Sequence, residues 1–144
     1  MGMDFLTALH VSGTGLSAER VRVNLASSNL ANAETTRDAN GNMYRRLDPV
    51  FQTEPIGDAN EIAPNAAGPM GVRVSNIVAD NGPGRKVYSP GHPDADVDGF
   101  VTFPDVNPVH EVVNLMSASR SYDANATALE TLKQMAARGL DISR

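Results

Sequence analysis

The sequence predicts a mainly α-helical protein with a small β insert, in which two long terminal helices form an antiparallel, coiled-coil-like hairpin. All nine prolines lie between Pro49 and Pro108, and proline breaks helix interiors. Apolar residues recur every seven positions on both sides of that region, which is typical of helices that pack along a seam. The predicted segments are an N-terminal helix in 1–33, a β-hairpin-containing insert in 34–107 and a C-terminal helix in 108–144.

The C-terminal helix has the clearest predicted boundaries. Asn107 and Pro108 are typical of an N-cap followed by proline at the first helical position. Gly139, after Arg138, is typical of a left-handed helix stop. The intervening residues, about 30 in number, would span roughly 45 Å. The seam positions of this helix are Leu115, Ala118, Tyr122, Leu129 and Leu132.

The N-terminal helix is predicted from Asp4 to Ala33. Gly13 and Gly15 each cost about 1 kcal/mol relative to alanine in a helix interior. This helix therefore needs a packing partner to form. Its seam positions are Leu9, Leu16, Val23 and Leu30.

The nine seam side chains admit two interpretations. They can form the core of a hairpin within one chain, or the helices can also pack against other subunits. Two helices of roughly 45 Å make a rod, and a single seam leaves most of that rod exposed. The exposed surface would be rich in Ala, Val and Ser and poor in charge. We therefore predict that the nine positions are an assembly interface.

The middle region is predicted to contain short strands. The candidates are Tyr44–Gln52, Val72–Ala79, Arg85–Ser89 and Phe100–Phe103. A turn at 81–84 is expected to join the second and third of these as a β-hairpin. Residues 55–69 are rich in Pro, Gly, Asn and Ala, which is typical of a loop.

Composition excludes several classes of function. The chain carries 12 Lys and Arg against 17 Asp and Glu, a net charge of −5, with no basic run, so nucleic acid is not an expected partner. It has no cysteine, which removes thiol catalysis and Cys-based zinc sites. No stretch approaches the roughly 20 apolar residues of a membrane span, and the first residues lack a signal-peptide pattern. No catalytic motif is present, so we expect no enzyme activity, no cofactor and no small-molecule substrate.

One segment has the beginning of a calcium-loop pattern, D-x-D-x-D-G, at Asp94, Asp96, Asp98 and Gly99. Its twelfth position is Asp105 rather than the expected glutamate, and the prolines before Asp94 exclude an entering helix. The alternative is an acidic turn of Asx-type hydrogen bonds before a strand, and we favour it over a metal site. For His110, we expect a contact with the neighbouring carboxylate of Glu111 rather than catalysis.

Three stretches of the chain resemble the axial rod and hook proteins of the bacterial flagellum. The first contains an N-L-A-N tetrapeptide, a nearby threonine and a Y-R-R run. The second resembles a Y-x-P-G-H-P-D-A-D-x-x-G-Y-V segment of proximal rod subunits, with Phe100 in the place of its last tyrosine. The third, 113–125, resembles the C-terminal helix motif of the same subunits. The motif residues are Asn29, Leu30, Ala31, Asn32, Thr35, Tyr44, Arg45, Pro90, Gly91, His92, Pro93, Asp94, Asp96 and Gly99.

This resemblance implies a structural axial subunit of the proximal rod. Such proteins are exported unfolded through the flagellar type III apparatus without a cleaved signal, and they polymerise into the shaft that crosses the periplasm and transmits torque. Their terminal helices form an inner tube, usually termed D0. The implied partners are copies of the chain, other rod subunits and the rod-base adaptor to the membrane ring.

Overall fold

A computed structural model describes residues 5–37, 40–56 and 68–142. Its elements, in chain order, are α1 (Phe5–Ala31), β1 (Leu47–Pro55), β2 (Met70–Ala79), β3 (Arg85–Tyr88), β4 (Phe100–Phe103) and α2 (Pro108–Ile142). The predicted start of the first helix at Asp4 and most of the predicted 55–69 loop lie outside the described residues.

Both predicted terminal helices are present. The cap at the start of α2 is confirmed, because Asn107 Oδ1 accepts the backbone N–H groups of Val109, at 3.0 Å, and His110, at 3.3 Å. The predicted stop at Gly139 is wrong, since α2 continues to Ile142. A glycine ends a helix when it adopts a left-handed conformation, and among the described glycines a positive φ occurs at 41, 84 and 99.

The strands are paired differently from the prediction. β1 pairs with β2 in an antiparallel ribbon from Leu47↔Ala79 to Pro55↔Met70, with an irregularity between Val50 and Phe51. β3 pairs with β4 in a second antiparallel ribbon. The predicted hairpin between the second and third strands is therefore wrong.

The physical reason lies in residues 81–84, which form an irregular segment rather than the predicted turn. Arg45 Nη1 donates hydrogen bonds to the carbonyl oxygens of Asp80 and Gly82, at 3.3 and 3.0 Å. These contacts hold the end of β2 beside the residues that precede β1. Gly84, with φ at +77°, then redirects the chain so closely to β4 that an added Cβ would lie 2.6 Å from the carbonyl oxygen of Phe103. The segment 81–84 therefore connects two ribbons instead of closing one.

The helices pack against each other through small side chains. Ala118 is fully buried, and Ala18 is buried on α1. Gly15 lies so close to α2 that an added Cβ would be 2.9 Å from Asn125 Nδ2. The β1–β2 ribbon packs mainly on α1. Among the described residues, the buried apolar side chains are Ala18, Ala26, Ala33, Val101, Val106 and Ala118.

Candidate functional site

Asn29 is the centre of a buried polar cluster at the end of α1. It is 1% exposed. Its Oδ1 accepts hydrogen bonds from the Leu47 backbone N–H, at 2.9 Å, and from the Tyr44 hydroxyl, at 3.0 Å. Its Nδ2 donates to the Leu47 carbonyl oxygen, at 2.9 Å, and to Glu111 Oε2, at 3.2 Å. One amide thus joins α1, the start of β1 and the first turn of α2.

Glu111 is the acidic member of this cluster and is also 1% exposed. Its Oε1 accepts a hydrogen bond of 2.7 Å from Arg46 Nε. The same guanidinium pairs with the carboxylate of Asp48. Burial alone lowers the pKa of Arg46, but the hydrogen bond and charge of Glu111, followed by Asp48, outweigh it and raise that pKa above its ordinary value. The guanidinium therefore remains charged at every physiological pH.

Sequence reasoning missed this ion pair. The expected contact between His110 and Glu111 is wrong, since Glu111 turns toward Arg46 and Asn29. Arg46 lies 65 positions earlier in the chain, which is beyond the reach of any local pattern. The available signal is that Glu111 is the only acidic residue between Asp105 and Asp123. A lone carboxylate on an otherwise apolar helix start needs a partner.

The other motif residues of the first stretch shape the end of α1. Asn32 Nδ2 donates to the Ser28 carbonyl oxygen, at 2.9 Å, and Asn32 Oδ1 accepts from the Thr35 hydroxyl, at 3.2 Å. The Ser28 carbonyl oxygen also accepts the backbone N–H of Asn32, at 3.0 Å, so backbone and side chain of Asn32 both bond to it where the helix ends. Leu30 is half-buried and Ala31 is exposed.

Asp94 connects the segment after α1 to the β3–β4 ribbon. Its Oδ2 accepts a hydrogen bond of 2.7 Å from the Thr36 hydroxyl, and its Oδ1 forms an ion pair of 2.8 Å with Arg37 Nε. The two oxygens of this carboxylate therefore face donors from a segment nearly 60 positions earlier. These two contacts give the Asp94 carboxylate, a motif residue, a structural role.

The predicted Asx-type turn is confirmed at Asp96. Its Oδ1 accepts the backbone N–H groups of Asp98, at 3.0 Å, and Phe100, at 2.8 Å. Gly99 completes the turn with φ at +81°, and an added Cβ there would lie 2.9 Å from the ring of Tyr88. Glycine is thus required for both conformation and space.

The remaining residues of the second stretch form the bend between β3 and this turn. His92 Nδ1 accepts the Asp94 backbone N–H at 3.1 Å, and its ring lies edge-on to Phe103 with centroids 6.2 Å apart. Pro90, Gly91 and Pro93 are exposed. Among the described residues, no group of three or more His, Asp or Glu side chains has the arrangement of a metal site.

The predicted seam residues differ in their exposure. Ala118 is fully buried, whereas Tyr122 is 38% exposed. The seven others are half-buried: Leu9, Leu16, Val23, Leu30, Leu115, Leu129 and Leu132. An open groove lies between the first turns of α1 and the second half of α2. It is lined by Ala8, Val11, Ser12, Ala124, Thr127, Ala128, Thr131 and Leu132.

A second apolar surface lies on the first turns of α2. Val109, Val113 and Met116 are 73%, 59% and 51% exposed. Their spacing of four and three residues places them on one face of the helix. Neither α1 nor α2, over its described residues, contains a stretch apolar enough to cross a membrane.

Comparison with known proteins identifies the class. A family model described as flagella basal body rod protein matches residues 9–37. A second, described as flagellar basal body rod FlgEFG protein C-terminal, matches residues 97–142. These matches cover most of α1 and α2, together with β4. They define a structural protein of the flagellar basal-body rod, and the protein is not an enzyme.

Full-length relatives specify the family further. The chain is 40% identical over 142 residues to the flagellar basal-body rod protein FlgC of Escherichia coli O6:H1, an alignment that covers 99% of this chain and 100% of the relative. It is 39% identical to the FlgC proteins of Salmonella typhimurium, with 99% and 100% coverage, and Bacillus subtilis, with 95% and 97% coverage. The chain therefore belongs to the FlgC family of flagellar basal-body rod proteins.

Proposed function

We propose that this protein polymerises through its two terminal helices into the proximal rod, the shaft that crosses the periplasm and transmits torque from motor to hook. The observation that carries the proposal is the composition of the core. Four of the six buried apolar residues are alanines, while sixteen large apolar side chains are exposed by 37% or more among the described residues. Burying one such side chain contributes about 1.5–3 kcal/mol. Neighbouring subunits would supply that burial.

The contacts between α1 and α2 support the predicted coiled-coil-like hairpin. Asn29, near the end of α1, contacts Glu111, near the start of α2. Gly15, fourteen positions earlier, lies against Asn125. Contact partners therefore run in opposite directions along the two helices, as in an antiparallel pair. The nine seam residues would lie between these helices and those of adjacent subunits.

The proposed partners follow from the family. They are copies of this chain, other rod subunits and the rod-base adaptor to the membrane ring. In transit, the chain would engage the flagellar type III export apparatus as an unfolded polypeptide without a cleaved signal. The absence of cysteine suits such a route, because no disulfide would have to form after export.

Leu129→Asp tests the role of the helices. Leu129 is half-buried on the predicted seam, and a carboxylate placed in an apolar contact costs several kcal/mol unless it is paired. A polymer would repeat this defect in every copy. We expect normal synthesis and export but incomplete rods and non-motile cells, measured as swimming and as subunit released to the medium.

The matched control is Leu129→Met, which keeps apolar volume and costs less than about 1.5 kcal/mol. This variant should swim normally. Normal swimming by Leu129→Asp would show that the seam faces water and would contradict the proposal.

A further inference from the structure

The two apolar surfaces of the helix pair lie on different halves of α2. The open groove between α1 and α2 has a volume of about 760 Å³, far more than the share of about 30 Å³ that one water occupies in the liquid. Its α2 wall extends from Ala124 to Leu132. The second surface, an apolar ridge formed by Val109, Val113 and Met116, lies roughly 23 Å away along the same helix. One chain therefore carries both a groove and a ridge.

The groove is open because the β1–β2 ribbon does not extend over it. Val11 lines both this groove and the cleft between the ribbon and α1, which also contains Met70. The groove therefore continues a surface of the helix pair that the ribbon covers further along. Its lining consists of Ala, Ser, Thr, Val and Leu and includes no charged side chain. Such a surface favours an apolar occupant, because a charge placed there would lose its hydration without gaining a partner.

The apolar ridge is the surface of this chain whose shape fits such a groove. Seven of the sixteen large apolar side chains exposed by 37% or more lie on helices, and four of these seven fall within 109–116. Val109, Val113 and Met116 have the i, i+4, i+7 spacing with which an amphipathic helix enters a hydrophobic groove. Among the described elements, α2 packs only on α1, and the ridge faces away from Ala118, the buried contact with α1. The chain therefore leaves its own ridge uncovered.

We propose that the apolar ridge of one copy of this chain enters the groove of a second copy, so that copies join head to tail. The inference rests on the proposed polymerisation and names the two surfaces of one contact within it. Because the ridge and the groove are different surfaces, a copy that docks through its ridge still presents an open groove. A contact of this kind either closes into a ring or continues as a helical filament.

Charge complementarity favours a copy of this chain as the occupant. Between 109 and 122, α2 has no exposed acidic side chain, since its one carboxylate in that range, Glu111, is buried. The positive end of the helix dipole lies at this end of α2, and the exposed Arg120 continues the ridge face. The outer rim of the groove instead carries the exposed carboxylates of Asp123 and Glu130. The ridge end of one copy is therefore positive where the rim of the next is negative.

Disulfide trapping tests the contact directly, because the chain has no cysteine of its own. Val109→Cys places a thiol on the ridge, and Thr131→Cys places one on the groove wall. These positions are roughly 33 Å apart along α2, whereas a disulfide requires Cα atoms about 4.4–6.8 Å apart. A disulfide between them must therefore join two copies.

The number of linked copies distinguishes the head-to-tail contact from other arrangements. Mild oxidation of isolated basal bodies should give a ladder of dimers, trimers and larger multimers when one chain carries both changes. Cells that express the two single variants together should give dimers only, because each chain then has one thiol. Ser119→Cys replaces Val109→Cys in the control, since Ser119 faces a cleft beside Arg20 of α1, and it should give no ladder. Monomers only, or links only to a different protein, would overturn the proposal.

A charge on the ridge provides an independent test. Val113→Asp should reduce the chain recovered in isolated basal bodies at least tenfold, because the carboxylate would enter an uncharged groove. Ser119→Asp adds the same charge away from the ridge and should leave recovery unchanged. Normal recovery of Val113→Asp would overturn the proposal. That result would leave the proposed polymerisation standing, since polymerisation fails only if Leu129→Asp assembles normally.

Discussion

Asn29 needs an amide side chain because α1 ends beside both a backbone donor and a backbone acceptor of Leu47. An amide supplies two donor hydrogens beside an acceptor oxygen, whereas a hydroxyl supplies a single donor hydrogen. Aspartate would lose the donor that reaches Glu111 and would place two carboxylates together. The asparagine of the N-L-A-N motif thus has a direct physical explanation in its contacts with Leu47, Tyr44 and Glu111.

Glu111→Ala should be strongly destabilising. The change leaves the Arg46 guanidinium without its buried acceptor, and breaking a buried pair from one side costs about 3–5 kcal/mol. We expect at least a tenfold loss of the chain from isolated basal bodies. Glu130→Ala removes an exposed acidic residue from the same helix and should have no measurable effect.

An apolar replacement of the whole pair distinguishes lost charge from lost packing. Arg46→Met with Glu111→Leu removes both charges and keeps most of the volume, a change that is often neutral or stabilising. Recovery should return to at least half of the wild-type level. If the double variant is as defective as Glu111→Ala, the ion pair itself is required for assembly.

The carboxylates of Asp94 and Asp96 make contacts that calcium would have to replace. Asp94 pairs with Arg37 and Thr36, and Asp96 accepts two backbone N–H groups. We therefore expect millimolar calcium to produce no binding heat and no change in melting temperature. Micromolar binding that is lost in Asp96→Asn would contradict this expectation.

At the scale of the elements, local chemistry predicted the helices but not the strand pairing. The absence of proline at both ends and the cap at Asn107 are local features, and α2 begins at its predicted first residue, Pro108. Pairing of β1 with β2 depends instead on contacts across the chain, such as those of Arg45 with Asp80 and Gly82. Residues 81–84 have a turn-like composition, but in the structure they form an irregular connection between β2 and β3 rather than a turn.

Gly13 and Gly15 look alike in the sequence but have different roles in the helix pair. An added Cβ at Gly13 meets nothing within 4 Å, whereas at Gly15 it meets Asn125 Nδ2 at 2.9 Å. Gly13→Ala should therefore increase the far-UV helical signal of the purified chain, because alanine is favoured by about 1 kcal/mol in a helix interior. Gly15→Ala should give a smaller gain or a loss.

Removing the opposing side chain provides the control. Asn125→Ala opens the space beside Gly15, so Gly15→Ala with Asn125→Ala should give a larger helical signal than Asn125→Ala alone. Equal signals for Gly13→Ala and Gly15→Ala in the wild-type background would show that the close approach of the helices is absent in solution.

At the scale of the whole molecule, the candidate site was only partly predictable. The sequence identified Asn29, Tyr44 and Asp94 as motif residues, yet the ion pair of Arg46 with Glu111 depends on folding together segments 65 positions apart. The seam residues were selected by period alone, and seven of the nine are half-buried. Periodicity shows which side chains share a face, but the partner of that face depends on tertiary and quaternary packing.

The small number of buried apolar side chains among the described residues predicts a poorly ordered monomer. Ordering one backbone residue costs about 1–2 kcal/mol, and α1 and α2 contain 27 and 35 residues. The buried side chains that would offset this cost are mostly alanines, and no isolated helix with Gly13 and Gly15 in its interior is strongly favoured. Circular dichroism of the dilute chain should therefore show much less helix than these two elements contain, and the helical signal should rise with protein concentration as subunits associate. A fully helical, cooperatively melting monomer would show instead that the chain stabilises its own hairpin, and that assembly adds contacts to a preformed subunit.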